Sequence, residues 1–189
     1  MRYINLRLLT YLLTYLLTYL SNSLLLNADK SQAIVLSTAN QLRSATSIDS
    51  VEVAGVALPV DTTLKSLGVI LDQRPTFNEH ATGVVDSCSY HARAIRHVRH
   101  LLTESVAQTL ACSLINSRLD YCNLPLYGAS EAGASEAIVD KLQRAQNNAA
   151  CAVLSANSRA DAGPLLRQLH WLPVRQRIFY KTAAVLTLE

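Results

Sequence analysis

Two hydrophobic rhythms follow one another along the chain from Ala33 onward, first a short β-branched one and then a long helical one. Residues 33–38 (AIVLST), 51–57 (VEVAGVA) and 66–71 (SLGVIL) are brief apolar runs bounded by Asn, Asp, Pro and Gly, which predicts strands. After Pro75 the period lengthens. Phe77, Ala81, Val84, Val85, Cys88, Ile95, Val98 and Leu102 fall within one arc of a 3.6-residue period, predicting a helix of about seven turns through Leu102. Thr103 is placed to cap a second helix over about 104–117, with Glu104 in its first turn to complement the dipole. LYGASEAGAS (126–135) reads as a loop. A third helix is predicted over about 135–155, because Ile138, Leu142, Ala145, Ala149 and Val153 recur at helical spacing. Pro164 and Pro173 each suit the first turn of a further helix. The pattern predicts an α+β fold, mostly α, in which a few short N-terminal strands lead into a helical bundle.

The first residues obey a different rule. No charge occurs from Leu8 to Ala28, and Arg2 and Arg7 precede the run, which fits a signal peptide or a membrane helix superficially. The run is built on a repeated unit, LLTYLLTYLLTY over residues 8–19. A tetranucleotide repeat read in frame regenerates the same four codons, and TTA CTT ACT TAC spells Leu-Leu-Thr-Tyr. Translated simple-repeat DNA therefore accounts for the segment without selection for a membrane. An apolar helix that targets or anchors the chain is the alternative for residues 8–28, although SNSLLLNADK offers no small-x-small cleavage site. An intracellular location is expected over a membrane one. Three regions are expected: 1–25 as the repeat, 26–75 as strands and 76–189 as helices.

With 189 residues, half of them hydrophobic, the chain has material for one respectable core and not for two independent domains. Net charge is only +3, so affinity for nucleic acid must come from local clustering. Cys88, Cys112, Cys122 and Cys151 form no close pair such as CxxC, and buried free thiols are expected in place of a zinc site.

Four phrases stand out, in this order: LKSLGVILD (64–72), SRLDYCN (117–123), KLQRAQNNAA (141–150) and LHWLPVRQRI (169–178). Each has a plain structural reading. The first is a buried strand with Gly68 at a bulge or close approach. In the second, Arg118 and Asp120 pair with each other or cap backbone groups while Tyr121 packs with its hydroxyl satisfied. Lys141 and Arg144 lie outside the apolar arc of their helix, on a solvated face or against a phosphate. His170 and Trp171 pack and cap, since no acid or nucleophile accompanies them at useful spacing.

Taken together and in order, the phrases resemble the end of the reverse transcriptase encoded by non-LTR retrotransposons of the jockey-like kind. The resemblance runs from about Leu26 to Glu189, from the last palm strands into the helical thumb and the region after it. LNADKSQAIVLST (26–38) resembles the strand that follows the catalytic turn, and LKSLGVILD the hairpin beside the primer terminus. The implied parent is a transposable element's RNA-directed DNA polymerase, a magnesium enzyme whose thumb holds a template and primer duplex.

Catalysis of that kind needs clustered carboxylates to hold two metal ions. The family places one Asp on an early palm strand and two more in a Tyr-x-Asp-Asp turn before the region matching LNADK, yet this chain has no adjacent Asp pair and the tetrapeptide repeat stands there instead. Asp29, Asp49, Asp61 and Asp72 are single and suit turns. GxSxG, HExxH and phosphate-loop motifs are absent too. The expectation is a catalytically inactive fragment with no catalytic residues, no metal site and no cofactor. Arg93, Arg96, His97 and His100 follow helical spacing with Arg99 flanking, on a face opposite Ile95, Val98 and Leu102. With Lys141 and Arg144 they are the candidates for contact with an RNA or DNA duplex, expected to be weak. The two other readings are a non-catalytic nucleic-acid-binding helical module and a membrane-anchored helical protein.

Overall fold

A computed structural model describes residues 27, 31–36, 49–53, 55–74, 76–121 and 136–186. The repeat over 8–19, the apolar run apart from Asn27, Cys122 and the loop expected at 126–135 lie outside the described residues. The fold is α+β and mostly α, with short strands first and helices after, as the hydrophobic rhythms predict. Two compact units divide the chain, one of residues 1–35 with 39–62 and the other of residues 36–38 with 63–189.

In the first unit, β1 (Ala33–Ile34), β2 (Ser50–Val53) and β3 (Val56–Asp61) form a sheet in the order β1-β3-β2. The run VEVAGVA is not one strand. Val53 pairs with Val56 across a tight turn in which Gly55 adopts φ 79°, so β2 and β3 form an antiparallel hairpin. β3 continues through Pro59, where sequence reasoning stopped. Val60 donates to the Asp49 carbonyl on the β2 side, so alternation turns the Pro59 nitrogen to the other side, where β1 pairs only with Val60 and Asp61.

The second unit begins with another hairpin, β4 (Thr63–Ser66) and β5 (Val69–Asp72). Sequence reasoning grouped this hairpin with the preceding strands, with a boundary near residue 75. Its Val69 and Leu71 pack on the helical core, and it clusters in the same compact unit as the helices. Asp72 ends β5 by accepting hydrogen bonds from the Thr76 backbone N–H at 2.7 Å and from the Thr76 hydroxyl. Phe77 follows in a left-handed conformation (φ 57°) that non-glycine residues seldom adopt, and its ring is buried in the core.

Helix α1 (Asn78–Val98) continues as a 3-10 turn over Arg99–Leu101, three residues inside the predicted end. Helix α2 (Glu104–Ala111) starts at Thr103, whose hydroxyl accepts from the Val106 N–H at 3.4 Å as the cap reading requires. It runs on as a π-helical turn over Cys112–Asn116 and then as α3 (Ser117–Asp120). Along one face, the hydroxyls of Thr109, Ser113 and Ser117 each bond back to the carbonyl four residues earlier, competing with the helical ladder where the turn widens. The remaining helices are α4 (Glu136–Val153), α5 (Ala162–Gln168) and α6 (Val174–Leu186). Ser155 ends α4 and His170 ends α5, each at positive φ and followed by a backbone bond five residues back, Ala156 to Cys151 and Trp171 to Leu166.

The core lies mainly between α1 and α4. Small buried residues on both, Ala81, Cys88 and Ala92 on one and Ala145, Ala149 and Ala152 on the other, let the two backbones approach closely. Ile115, Leu119, Ile138, Leu142, Leu166, Leu169, Trp171, Val174 and Ile178 complete the cluster. Among the described residues no helix is long and apolar enough to cross a membrane. Cys88 and Cys151 are buried free thiols as expected, whereas Cys112, the first residue of the π turn, is exposed.

Candidate nucleic-acid interface

Packing of α1 on α4 gathers charges that the sequence keeps some 45 residues apart. Lys141 Nζ donates to Thr82 Oγ1 at 3.1 Å, and Arg96 Nη2 donates to Asn148 Oδ1 at 3.0 Å. These two bonds align α1 and α4 in the same direction, because position along one helix rises with position along the other. On the helical period, Arg93 shares the Arg96 flank of α1, and Arg144 shares the Lys141 flank of α4. Arg93, Arg96 and Arg144 are exposed. On helical periodicity the result is one basic seam of four cations, two from α1 and two from the KLQRAQNNAA phrase of α4. His97 and His100 are also exposed, but His100 sits on the 3-10 turn, where the angular step per residue changes and the seven-residue alignment with Arg93 no longer holds.

Arg99 requires reassignment. Its Nε donates to the Val153 carbonyl at the end of α4 and its Nη1 to the Leu102 carbonyl at 2.8 Å. Those acceptors are helix-end carbonyls that lack intrahelical partners, so the guanidinium joins two helix termini.

A second constellation was invisible in sequence as a unit. The four phrases hold one another together, all within the second unit. Leu67 and Gly68 form the two-residue turn between β4 and β5, both at positive φ (48° and 82°), so Gly68 serves a hairpin turn and not a bulge. The Tyr121 hydroxyl donates to the Leu67 carbonyl at 2.6 Å, satisfied as its structural reading expected. Neighbouring Asp120 does not pair with Arg118. Its carboxylate instead receives two hydrogen bonds from Arg177, one of them Nε to Oδ1 at 2.8 Å, and Lys181 approaches to 3.3 Å. Burial raises the Asp120 pKa, but the hydrogen bond and charge of Arg177 and the charge of Lys181 outweigh it and hold the carboxyl below its ordinary value.

KLQRAQNNAA joins LHWLPVRQRI through glutamines. Gln146, fully buried, donates from Nε2 to the Leu172 carbonyl at 3.0 Å, and Gln143 Oε1 accepts from the Val174 N–H at 2.8 Å. Gln108 of α2 adds a bond to the Leu169 carbonyl at 3.0 Å. Three side chains thus satisfy the backbone of the extended corner between α5 and α6. The available signal was Gln146 inside the apolar arc of Leu142, Ala145 and Ala149.

The described residues do not fit a two-metal polymerase centre. No adjacent Asp pair occurs, Asp72 is committed to Thr76 and Asp120 to Arg177, and among the described residues no group of three His, Cys, Asp or Glu is placed to hold a metal ion. Comparison of the chain with family models, curated proteins and solved structures finds no match.

Proposed function

We propose that the chain is a catalytically inactive remnant of a non-LTR retrotransposon reverse transcriptase, and that it retains a weak, sequence-independent affinity for duplex nucleic acid along the α1–α4 seam. The observation that carries the duplex affinity is the seam itself, four cations on two packed helices, suited to following a phosphate backbone. The descent is supported by the four phrases and by their mutual bonding, which makes them parts of one arrangement. A helical nucleic-acid-binding module of other descent rests on the same seam, and DNA upstream of the reading frame separates the two readings. A shifted frame encoding Tyr-x-Asp-Asp supports the retrotransposon origin.

The binding test is salt dependence. Replacing Arg93, Arg96, Lys141 and Arg144 with Gln flattens the slope of log affinity against log salt by about 0.9 for each phosphate contact removed. An unchanged slope in the folded variant assigns these charges to solvation alone. With magnesium or manganese the protein does not extend a primer on RNA or DNA, and template-dependent incorporation above a no-protein control overturns the inactive reading.

A further inference from the structure

Beside the Asp120–Arg177 pair lies an open cleft of about 480 Å³, between the α2–α3 helix and the corner that leads into α6. This volume falls within the range of about 300–1,000 Å³ that small-molecule sites occupy. Its wall contains two buried polar atoms that no protein group satisfies, Asn116 Oδ1 and Trp171 Nε1. Both residues are more than nine-tenths buried. Such atoms are rare in folded proteins, and two in one cleft wall call for an explanation.

The two have opposite needs. Asn116 donates through Nδ2 to Cys112 Sγ at 3.7 Å and the atom left without a partner is its acceptor Oδ1, while an indole N–H only donates. The wall therefore asks for a ligand edge with a donor and an acceptor, as a nucleobase or a primary amide presents. Charge narrows the choice. Among the described residues that line the cleft, Arg177 and Lys181 face the carboxylate of Asp120, an excess of one positive charge that favours an anion. Tyr180, two-thirds exposed, also lines the cleft and offers an aromatic face for a planar ring. The π-helical turn carrying Cys112 and Asn116 forms part of this same wall, and such widened turns are found frequently at functional sites.

We infer that this cleft is a binding site for a nucleotide unit, the base edge meeting Asn116 and Trp171 and the phosphate meeting Lys181 and Arg177. The unit is carried either by a free mononucleotide or by the unpaired end of a strand. The site does not depend on the basic seam.

Trp171 is the only tryptophan in the chain, so its fluorescence reports on the wall directly. The full chain is titrated with AMP, adenosine, inorganic phosphate and a single-stranded RNA pentamer. AMP is expected to change the fluorescence saturably and to bind at least about tenfold more tightly than adenosine or phosphate. A pentamer tighter than AMP assigns the site to strand ends, and one no tighter assigns it to free nucleotides. Lys181→Gln and Tyr180→Ala, both at exposed side chains, each weaken AMP at least threefold. Asn116→Leu abolishes the response while the melting temperature is kept or raised, and if that variant fails to fold the two exposed variants carry the test. In the seam variant, Arg93, Arg96, Lys141 and Arg144 all to Gln, AMP affinity is unchanged, which separates this site from duplex binding. The proposal is overturned by no saturable response in the folded wild type, by phosphate matching AMP, or by both exposed variants binding like the wild type.

Discussion

Tyr121 donates its hydroxyl to the carbonyl oxygen of Leu67, a residue 54 positions earlier that sits in a left-handed turn. The hairpin tip is thereby fastened to the end of α3. Leucine is a poor occupant of that conformation, and Asn-Gly is the favoured pair for a two-residue turn of this kind.

Leu67→Asn should therefore stabilise the protein by about 0.5–1 kcal/mol. Gly68→Ala should do the reverse, by about 1–2 kcal/mol, through backbone conformation alone. A Cβ at Gly68 would meet Tyr121 Cε1 at an ordinary 3.6 Å, so space is not the obstacle. Urea midpoints at constant m-value measure both, and equal effects of the same sign refute the turn assignment.

Breaking the Asp120–Arg177 pair from the Asp120 side should be costly, because each side chain is 17 % exposed and loss of the carboxylate leaves the Arg177 guanidinium without its acceptor. Asp120→Ala is expected to lose about 2–3 kcal/mol, and the double change Asp120→Leu with Arg177→Met to recover most of it. The folded carboxyl is held below its ordinary value of about 3.9. Its contribution is thus fully present above that pH and is lost as pH falls below it. Acid unfolding of the wild type and the double variant should converge in that range; parallel curves would show that the pair does not couple to folding.

His80 supplies a second pH response at higher pH. It is buried, its Nδ1 accepts from the Ile70 N–H at 3.4 Å, and burial lowers its pKa. The unfolded chain takes up a proton near pH 6.5 while the folded one resists, so stability is present above about pH 6.5 and declines as pH falls below it. His80→Asn keeps an acceptor for Ile70 without a titration. Its melting temperature should vary less between pH 7 and pH 5 than that of the wild type, and an identical profile would remove His80 from the account.

Thiol labelling should divide the cysteines by position. Burial pushes the Cys88 thiol up to about 11 against the opposing charge of Arg118, and Cys151 is also buried. Under native conditions iodoacetamide should modify Cys112 and spare Cys88 and Cys151 until the protein is unfolded, as read by mass spectrometry of the digested chain.

Helices proved legible because one period covers many residues. The arc from Phe77 to Ile95 and the cap at Thr103 appear where the apolar spacing puts them. Strands were less so, since a single Gly or Pro decides their topology: Gly55 splits one run into a hairpin, and Pro59 sits where β1 does not need its missing donor. Of the basic residues, the spacing brought out Arg93 and Arg96 but not the turning of Arg99 toward the end of α4, which depends on where a helix 54 residues later terminates. The glutamine bonds and the Asp120–Arg177 pair escaped for the same reason. Nothing within seven residues of Asp120 names Arg177.

Close packing of α1 on α4 also sets an order of events during synthesis. A ribosome releases the hairpin and all of α1 before residue 136 exists, so the apolar stripe of Ala81, Cys88, Ala92 and Ile95 emerges without its main partner. The corner at Leu169–Val174, which Gln143 and Gln146 fasten, comes later still. Folding of this unit is therefore a late, near-completion event, and a transcript interrupted between codons 100 and 135 yields a sticky product, not a smaller working one.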